Sequence, residues 1–342
     1  MTASVTSIEE HRIGQVLPAG AGTEQRKVAM AELGRALKQH AYGFTTVTPL
    51  THQRVNGREN AAWAHDLPGI FGWSRPFKEA LPSADLLALM HQSAVVDSVD
   101  KGQGADGVLR ALVRASTLDG QLYFHSAYPT SASDAVFFGP DTYRFIGALR
   151  ASLMGLNQPV RRAADIGCGA GPGAITLALA YPGAEVFGID INPAALVLTE
   201  VNARIAGADN LVAVNSNLLK DVAGEFDLIV SNPPYLLDRE QRAYRHGGGE
   251  LGAGLSIAVV EEAIARLAPG GTLMLYTGVA IVANADPFRM AVEPRLRDAL
   301  FLWSYEEIDP DVFGEELDEP AYAHADRIAA VWLCATRPGS VQ

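Results

Sequence analysis

Apolar and polar positions along this chain follow two rhythms. From residue 25 to 39, Ala29, Met30, Leu33 and Leu37 recur at the three- and four-residue spacing of a helix that buries one face. Leu86, Leu87, Leu89, Met90 and Val95 predict a second helix, and residues 108–113 a third. Two β-prone runs, 121–124 and 135–138, flank a Ser/Thr/Pro-rich turn and predict a hairpin. Helices followed by a hairpin resemble a winged-helix arrangement. Residues 1 to about 25 show no sustained period and read as a loosely docked tail.

From residue 160 the rhythm changes. Apolar, β-branched runs at 163–166, 185–189, 211–214, 226–230 and 272–276 predict buried strands. Helical segments near 173–180, 193–206 and 256–267 lie between them. Strand–helix alternation of this kind implies a doubly wound, mostly parallel α/β sheet. Residues 301–306 and 327–335 add two more strands, a closing antiparallel pair. The expected division is a smaller, mainly helical region at 1–130 that ends in the hairpin, followed by an α/β domain at 131–342.

Composition narrows the options. Hydrophobic residues make up 48% of the chain, enough for a large core. The net charge of −12 repels nucleic-acid phosphates on average. One local basic cluster exists, Arg239, Arg242 and Arg245 interleaved with Tyr235 and Tyr244; its plainer reading is a solvated loop. Two distant cysteines, Cys168 and Cys334, make neither a disulfide framework nor a metal site, so no metal and a reducing, cytoplasmic setting are expected. No run reaches the ~18 apolar residues of a membrane span. The aromatic turn Phe71-Gly72-Trp73-Ser74-Arg75-Pro76-Phe77 suits a core plug and a ligand contact equally.

Three segments carry candidate chemistry. Asp165-Ile166-Gly167-Cys168-Gly169-Ala170-Gly171-Pro172-Gly173 follows a strand and opens a helix, where glycines let a ligand approach the backbone. Alone, such a loop fits a nucleotide, a phosphate or plain helix packing. Asp165, however, would repel a pyrophosphate and suits a cationic amino group, which points to an adenosyl amino acid rather than NAD. In Gly188-Ile189-Asp190-Ile191-Asn192, Asp190 lies 19 residues beyond Gly171, a spacing that fits an acid on ribose hydroxyls. Asp190 equally suits a helix cap, or Asn192 caps while Asp190 binds.

The third segment is Ser231-Asn232-Pro233-Pro234-Tyr235, directly after a buried strand. Two prolines forbid continuation of the strand and lock an extended loop at its carboxyl end, where open α/β sheets place ligands. An Asn carbonyl and a proline carbonyl hold the two N–H groups of an amide or exocyclic amine there, with Tyr235 against its flat face. Hydrogen bonding to two acceptors shifts electron density onto a weakly nucleophilic nitrogen and aims it at a methyl sulfonium.

In order and spacing these motifs resemble the class I S-adenosylmethionine-dependent methyltransferases with Asn-Pro-Pro-Tyr, most of all the release-factor glutamine N5-methyltransferase group. The likeness covers roughly 134–336. It implies a Rossmann-like, seven-stranded sheet whose last strand is antiparallel, S-adenosyl-L-methionine as cofactor, and a catalytic domain at 131–342 with a substrate-selecting region before it. It implies that Asp165, Gly167, Gly169 and Gly171 line the methionine moiety, that Asp190 with neighbouring Ile191 holds the ribose, and that Asn217 meets the adenine edge. Asn232, Pro233, Pro234 and Tyr235 would be catalytic. Phe138-Gly139-Pro140-Asp141-Thr142 resembles the segment that closes over the cofactor, which adds Phe138 and Thr142 to its contacts. Asn217 stands where the group usually has Asp, and Tyr143 where an acid is common.

The expected activity is methylation of a planar amide or amine nitrogen on a protein glutamine or a small molecule. Alternatives are a nucleic-acid base N-methyltransferase, for which no basic recognition region is visible, and intramolecular cyclisation of the cofactor with release of methylthioadenosine.

Overall fold

The structure is a computed structural model that describes residues 23–99, 107–130, 132–240, 242 and 244–339. The tail expected at the N-terminus lies, up to residue 22, outside them. The chain forms two compact units: one of residues up to Tyr143 with 169–172 and 193–209, the other of 144–168, 173–192 and 210 onward.

In the first unit, α1 (Glu24–Gln39) carries an acid in its first turn and Lys38 in its last, complementing the helix dipole. It packs on α7 (Pro193–Ala206) so closely that a Cβ at Gly34 would collide with Ile205. Lys27 to Glu200 (2.5 Å) and Arg204 to Glu24 (2.5 Å) rim this contact. The helices α2 (Pro49–Asn56), α3 (Leu67–Phe71) and α4 (Ala84–Gln92) follow, each opened by a Ser, Thr or Asp that accepts a first-turn N–H. Strands β1 (Phe77–Lys78), β2 (Val96–Ser98) and β3 (Val108–Ala111) form an antiparallel sheet in the order β1-β3-β2.

Two local expectations are corrected here. Residues 108–113 are extended rather than helical, because six apolar-rich residues run straight into the β-prone β4 (Val113–Leu118). The hairpin joins β4 to β5 (Gln121–Ser126), not 121–124 to 135–138. Its turn is Asp119-Gly120, both with positive φ (51° and 73°), the conformation that favours Asp-Gly in tight hairpins. Residue 136 still meets β5, exchanging hydrogen bonds with Ser126.

The second unit holds the expected sheet. Its strands are β6 (Arg162–Ile166), β7 (Glu185–Asp190), β8 (Leu211–Asn215), β9 (Phe226–Ser231), β10 (Leu267–Ile281), β11 (Leu302–Asp309) and β12 (Arg327–Thr336). Their order is β11-β12-β10-β9-β6-β7-β8. Only β12 runs against the rest, pairing antiparallel with both neighbours. The expected closing pair is therefore present. The central strands are continuous apolar runs because both faces are covered. One packed layer joins Ile166, Ile189, Phe226, Ile229 and Leu275 to Val259 and Val260 of α8 (Gly254–Arg266) and to Phe288 of α9 (Pro287–Asp298). Helices α5 (Pro140–Met154) and α6 (Pro172–Ala180) precede and follow β6. No described helix is long and apolar enough to cross a membrane.

Asn202 of α7 bridges the first unit internally. Fully buried, it accepts the Phe124 N–H (2.8 Å) and donates to the carbonyls of Phe124 (3.0 Å) and Ala170 (2.8 Å). Asn202→Leu strands these backbone groups without partners, at roughly 1–3 kcal/mol for a buried unsatisfied group. Urea unfolding is expected to show at least that loss.

Candidate active site

β6 and β9 lie side by side at the middle of the sheet, and the chain leaves them in opposite directions: toward β7 and β8 from one, toward β10 from the other. Carboxyl ends diverge at such a switch point, and ligands bind in the crevice. Ser231 at the end of β9 donates its buried hydroxyl to the Ile166 carbonyl at the end of β6 (2.7 Å), tying the two ends together.

The glycine turn starts there. The Gly167 and Cys168 N–H groups donate to the Ile189 carbonyl of β7 (2.8 and 3.0 Å). Gly167, Gly169 and Gly171 take φ of 73°, 55° and 86°, a region in which a side chain is strained. A Cβ on Gly167 would meet nothing within 4 Å, so open space borders the turn. Gly169 and Gly171 belong to the first unit, where Thr199 of α7 donates to the Gly169 carbonyl (3.0 Å).

Asp165 is 2% exposed. Its Oδ2 accepts the Ala174 N–H at the start of α6 (2.8 Å), and a Cβ on Gly173 would stand 2.6 Å from that oxygen. Glycine is required at 173 so that the carboxylate fits under the helix. Burial, with a smaller push from the Asp190 charge, raises the Asp165 pKa to about 7. Asp190, half-buried at the end of β7, accepts the Asn192 N–H through Oδ1 (2.9 Å), a turn that leads into α7. Ile191 is 59% exposed. The Ser216 N–H donates to the Asp190 carbonyl (3.2 Å), which brings the exposed Asn217 to the same edge.

Beyond β9, Asn232 is half-buried and takes no hydrogen-bond partner among the described residues, while Pro233 is buried. Tyr235 is 7% exposed; its ring lies on β10 at Gly278, where a Cβ would overlap it. Phe313 packs against that ring edge-on (5.9 Å) and Tyr276 stands at 6.5 Å. The backbone of this loop is clamped as well. Any Cβ at Gly247 or Gly252 would strike it, the Gly247 N–H donates to the Leu236 carbonyl (2.8 Å), and the Leu237 N–H donates to the Tyr322 hydroxyl (2.9 Å).

These supports were not read from sequence. The His246-Gly247-Gly248-Gly249 run was a usable signal, whereas Gly278, Phe313 and Tyr322 carry none locally. Phe138 and Thr142 lie in the first unit: Phe138 stacks on His125 (5.1 Å), and the Thr142 hydroxyl accepts the Gly139 N–H (3.2 Å) ahead of α5.

The basic cluster is engaged by acids. Arg242 grips Asp238 with two nitrogens, Arg245 pairs with Glu316, and Arg239 with Glu319 (2.8 Å). Among the described residues no His/Cys/Asp/Glu group could hold a metal ion.

The Methyltransferase small domain family matches residues 149–285. The matched stretch holds the glycine turn, Asp190 and the Asn232-Pro233-Pro234-Tyr235 loop. Its relatives include a release factor glutamine methyltransferase of Deinococcus radiodurans, 35% identical over 175 residues, which are 48% of this chain and 62% of that protein. A 4-amino-L-phenylalanine/4-methylamino-L-phenylalanine methyltransferase of Streptomyces pristinaespiralis is 32% identical over 41% of this chain and 49% of its own length. A ribosomal RNA small subunit methyltransferase C of Chromohalobacter salexigens is 36% identical over 36% of this chain and 32% of its own. The chain thus spans less than two thirds of the length of each of these curated relatives.

Two predictions follow from this geometry. Gly278→Ala forces the Tyr235 ring off β10 and is expected to cost about 1–3 kcal/mol, the usual range for overpacking, read by urea unfolding; unchanged stability would show that the ring rests elsewhere. Because the Asp165 pKa is raised on folding, the folded state holds that proton more tightly than the unfolded chain. Its contribution is complete below about pH 4 and is lost as pH rises through about 7. Stability is expected to fall across this window, and Asp165→Asn to flatten the fall.

Proposed function

We propose that this chain is an S-adenosylmethionine-dependent N-methyltransferase whose acceptor is a planar amide or amine nitrogen, on a protein glutamine or a small molecule. One observation carries the reading: the clamped Asn232-Pro233-Pro234-Tyr235 loop stands at the carboxyl end of β9, tied to β6 at the switch point. The donor set fits the cofactor. Asp165 and Asp190 offer carboxylates to a ligand with an ammonium end and a ribose diol, and Gly167 borders open space. Ile191 and Asn217 flank the ribose and adenine. Once bound, that cofactor supplies a methyl group on a sulfonium.

The protein's own work is positioning. Asn232 Oδ1 and a proline carbonyl accept the two acceptor N–H groups, which raises electron density on nitrogen and fixes its approach. Tyr235, held by Gly278 and Phe313, sets the plane of the flat group. No general base is needed, since the methylated nitrogen loses its proton to solvent. Relatives named for a glutamine and for 4-amino-L-phenylalanine support acceptors of this kind. A nucleic-acid acceptor has less support, because the net charge is −12 and the arginines beside the loop are paired with acids.

Incubation with methyl-labelled S-adenosylmethionine and cell extract, followed by mass spectrometry of proteins and metabolites, is expected to yield a methylated acceptor and S-adenosylhomocysteine. Methylthioadenosine with no methylated acceptor would establish the cyclisation instead. Asn232→Ala is expected to lower kcat ~100-fold or more, as on losing a positioned hydrogen-bonding group, with cofactor affinity unchanged. Asn232→Asp should keep partial activity.

A further inference from the structure

The aromatic turn at 71–77 belongs to the first unit and takes no part in the site above. Next to it, Arg114 of β4 is only 4% exposed. Its Nε donates to the Gly72 carbonyl (3.0 Å), one Nη lies 3.4 Å from the Thr46 hydroxyl, and the guanidinium stands over the Phe44 ring (5.7 Å). No carboxylate among the described residues pairs with it; the ionisable groups acting on it are the phenols of Tyr42, Tyr143 and Tyr128. Burial draws its pKa down only to about 10, so the charge persists at neutral pH.

His52 of α2, in the same region, carries an unsatisfied donor. Asn56 fixes its tautomer. The Asn56 Oδ1 accepts the Arg75 Nε–H (2.9 Å), so its amide nitrogen donates to the Trp73 carbonyl (2.9 Å) and to His52 Nε2 (3.0 Å). Nε2 is therefore the acceptor, and a neutral ring carries its proton on Nδ1. That atom is buried and has no partner. The ring is neutral at pH 7, because burial and then the charges of Arg114 and Arg75 outweigh the pull of the Trp73 carbonyl and lower its pKa to about 4.

Buried charges are ordinarily paired and buried donors hydrogen-bonded. Here, within one unit, a buried guanidinium has no carboxylate partner among the described residues and a buried N–H has no acceptor. Both adjoin flat rings: Tyr128 is 4.0 Å from His52 and Trp73 is 5.3 Å, each half-exposed, so the cluster borders the surface. The turn is strained too, with Ser74 at φ 55°, its hydroxyl accepting the Tyr128 N–H (3.3 Å). We propose that Arg114, His52 and the 71–77 turn form a binding site for a small organic carboxylate with a planar body. A carboxylate supplies the missing charge and two acceptor oxygens together. The proposal stands apart from the methyl-transfer reading.

The probes are benzoate and 4-aminobenzoate, with benzamide and inorganic phosphate as controls, added to the full chain. Both carboxylates are expected to bind saturably and to shift the His52 ring nitrogen resonances, while the controls do neither. Arg114→Gln should weaken binding about 10- to 100-fold, the range for hydrogen bonds to a charged group, and leave S-adenosylmethionine binding unchanged. Unmoved His52 resonances in the wild-type protein overturn the site whether or not the variant folds. Equal binding of benzamide, or full affinity in Arg114→Gln, does the same.

Discussion

Tyr235 rests on β10 at a position with no side chain, and the arrangement of the loop before it depends on that contact. The ring fits over Gly278 only because a Cβ is absent, and Gly247 and Gly252 admit the loop backbone for the same reason. Two prolines remove conformational freedom from within, and three glycines let neighbouring backbone close in from outside. The result is a rigid Asn232 on a loop whose φ, ψ and packing are all determined. A preorganised polar group of this sort costs no reorganisation when it binds.

The acidic side of the site follows a different logic. Asp165 is buried beneath the start of α6, where it serves the helix by accepting an N–H and holds a pKa near neutrality. Under the proposed function, an ammonium group brought beside a carboxylate in this state would favour its ionised form. Asp190 likewise combines a turn into α7 with its place at the end of β7. For Asp190 the two roles weighed from sequence are compatible: accepting the Asn192 N–H does not by itself exclude a ligand at the carboxyl end of the strand.

The arginines near the loop show how little a basic run says by itself. Arg239, Arg242 and Arg245 read as a cationic patch, yet Asp238 lies on the same segment and Glu316 and Glu319 arrive from between β11 and β12. Those pairs hold two distant segments together beside Tyr235. Arg114, which had no place in the sequence argument, is a buried guanidinium with no acid partner among the described residues.

The sequence alone determined the sheet and the places of its motifs. Buried parallel strands are continuous apolar runs, glycines and prolines act on their own backbone, and both signals are local. The β4–β5 hairpin was misplaced at 121–124 and 135–138: Asp119-Gly120 is a local turn signal, but the apolar run before it suggested a helix, so its first strand was missed. Tertiary structure alone decided what closes around Asn232-Pro233-Pro234-Tyr235. Gly278, Phe313 and Tyr322 lie 43 to 87 residues beyond Tyr235, and each matters only for what it meets or leaves room for. The same holds for His52 and Arg114: whether a buried donor has an acceptor depends on residues far along the chain.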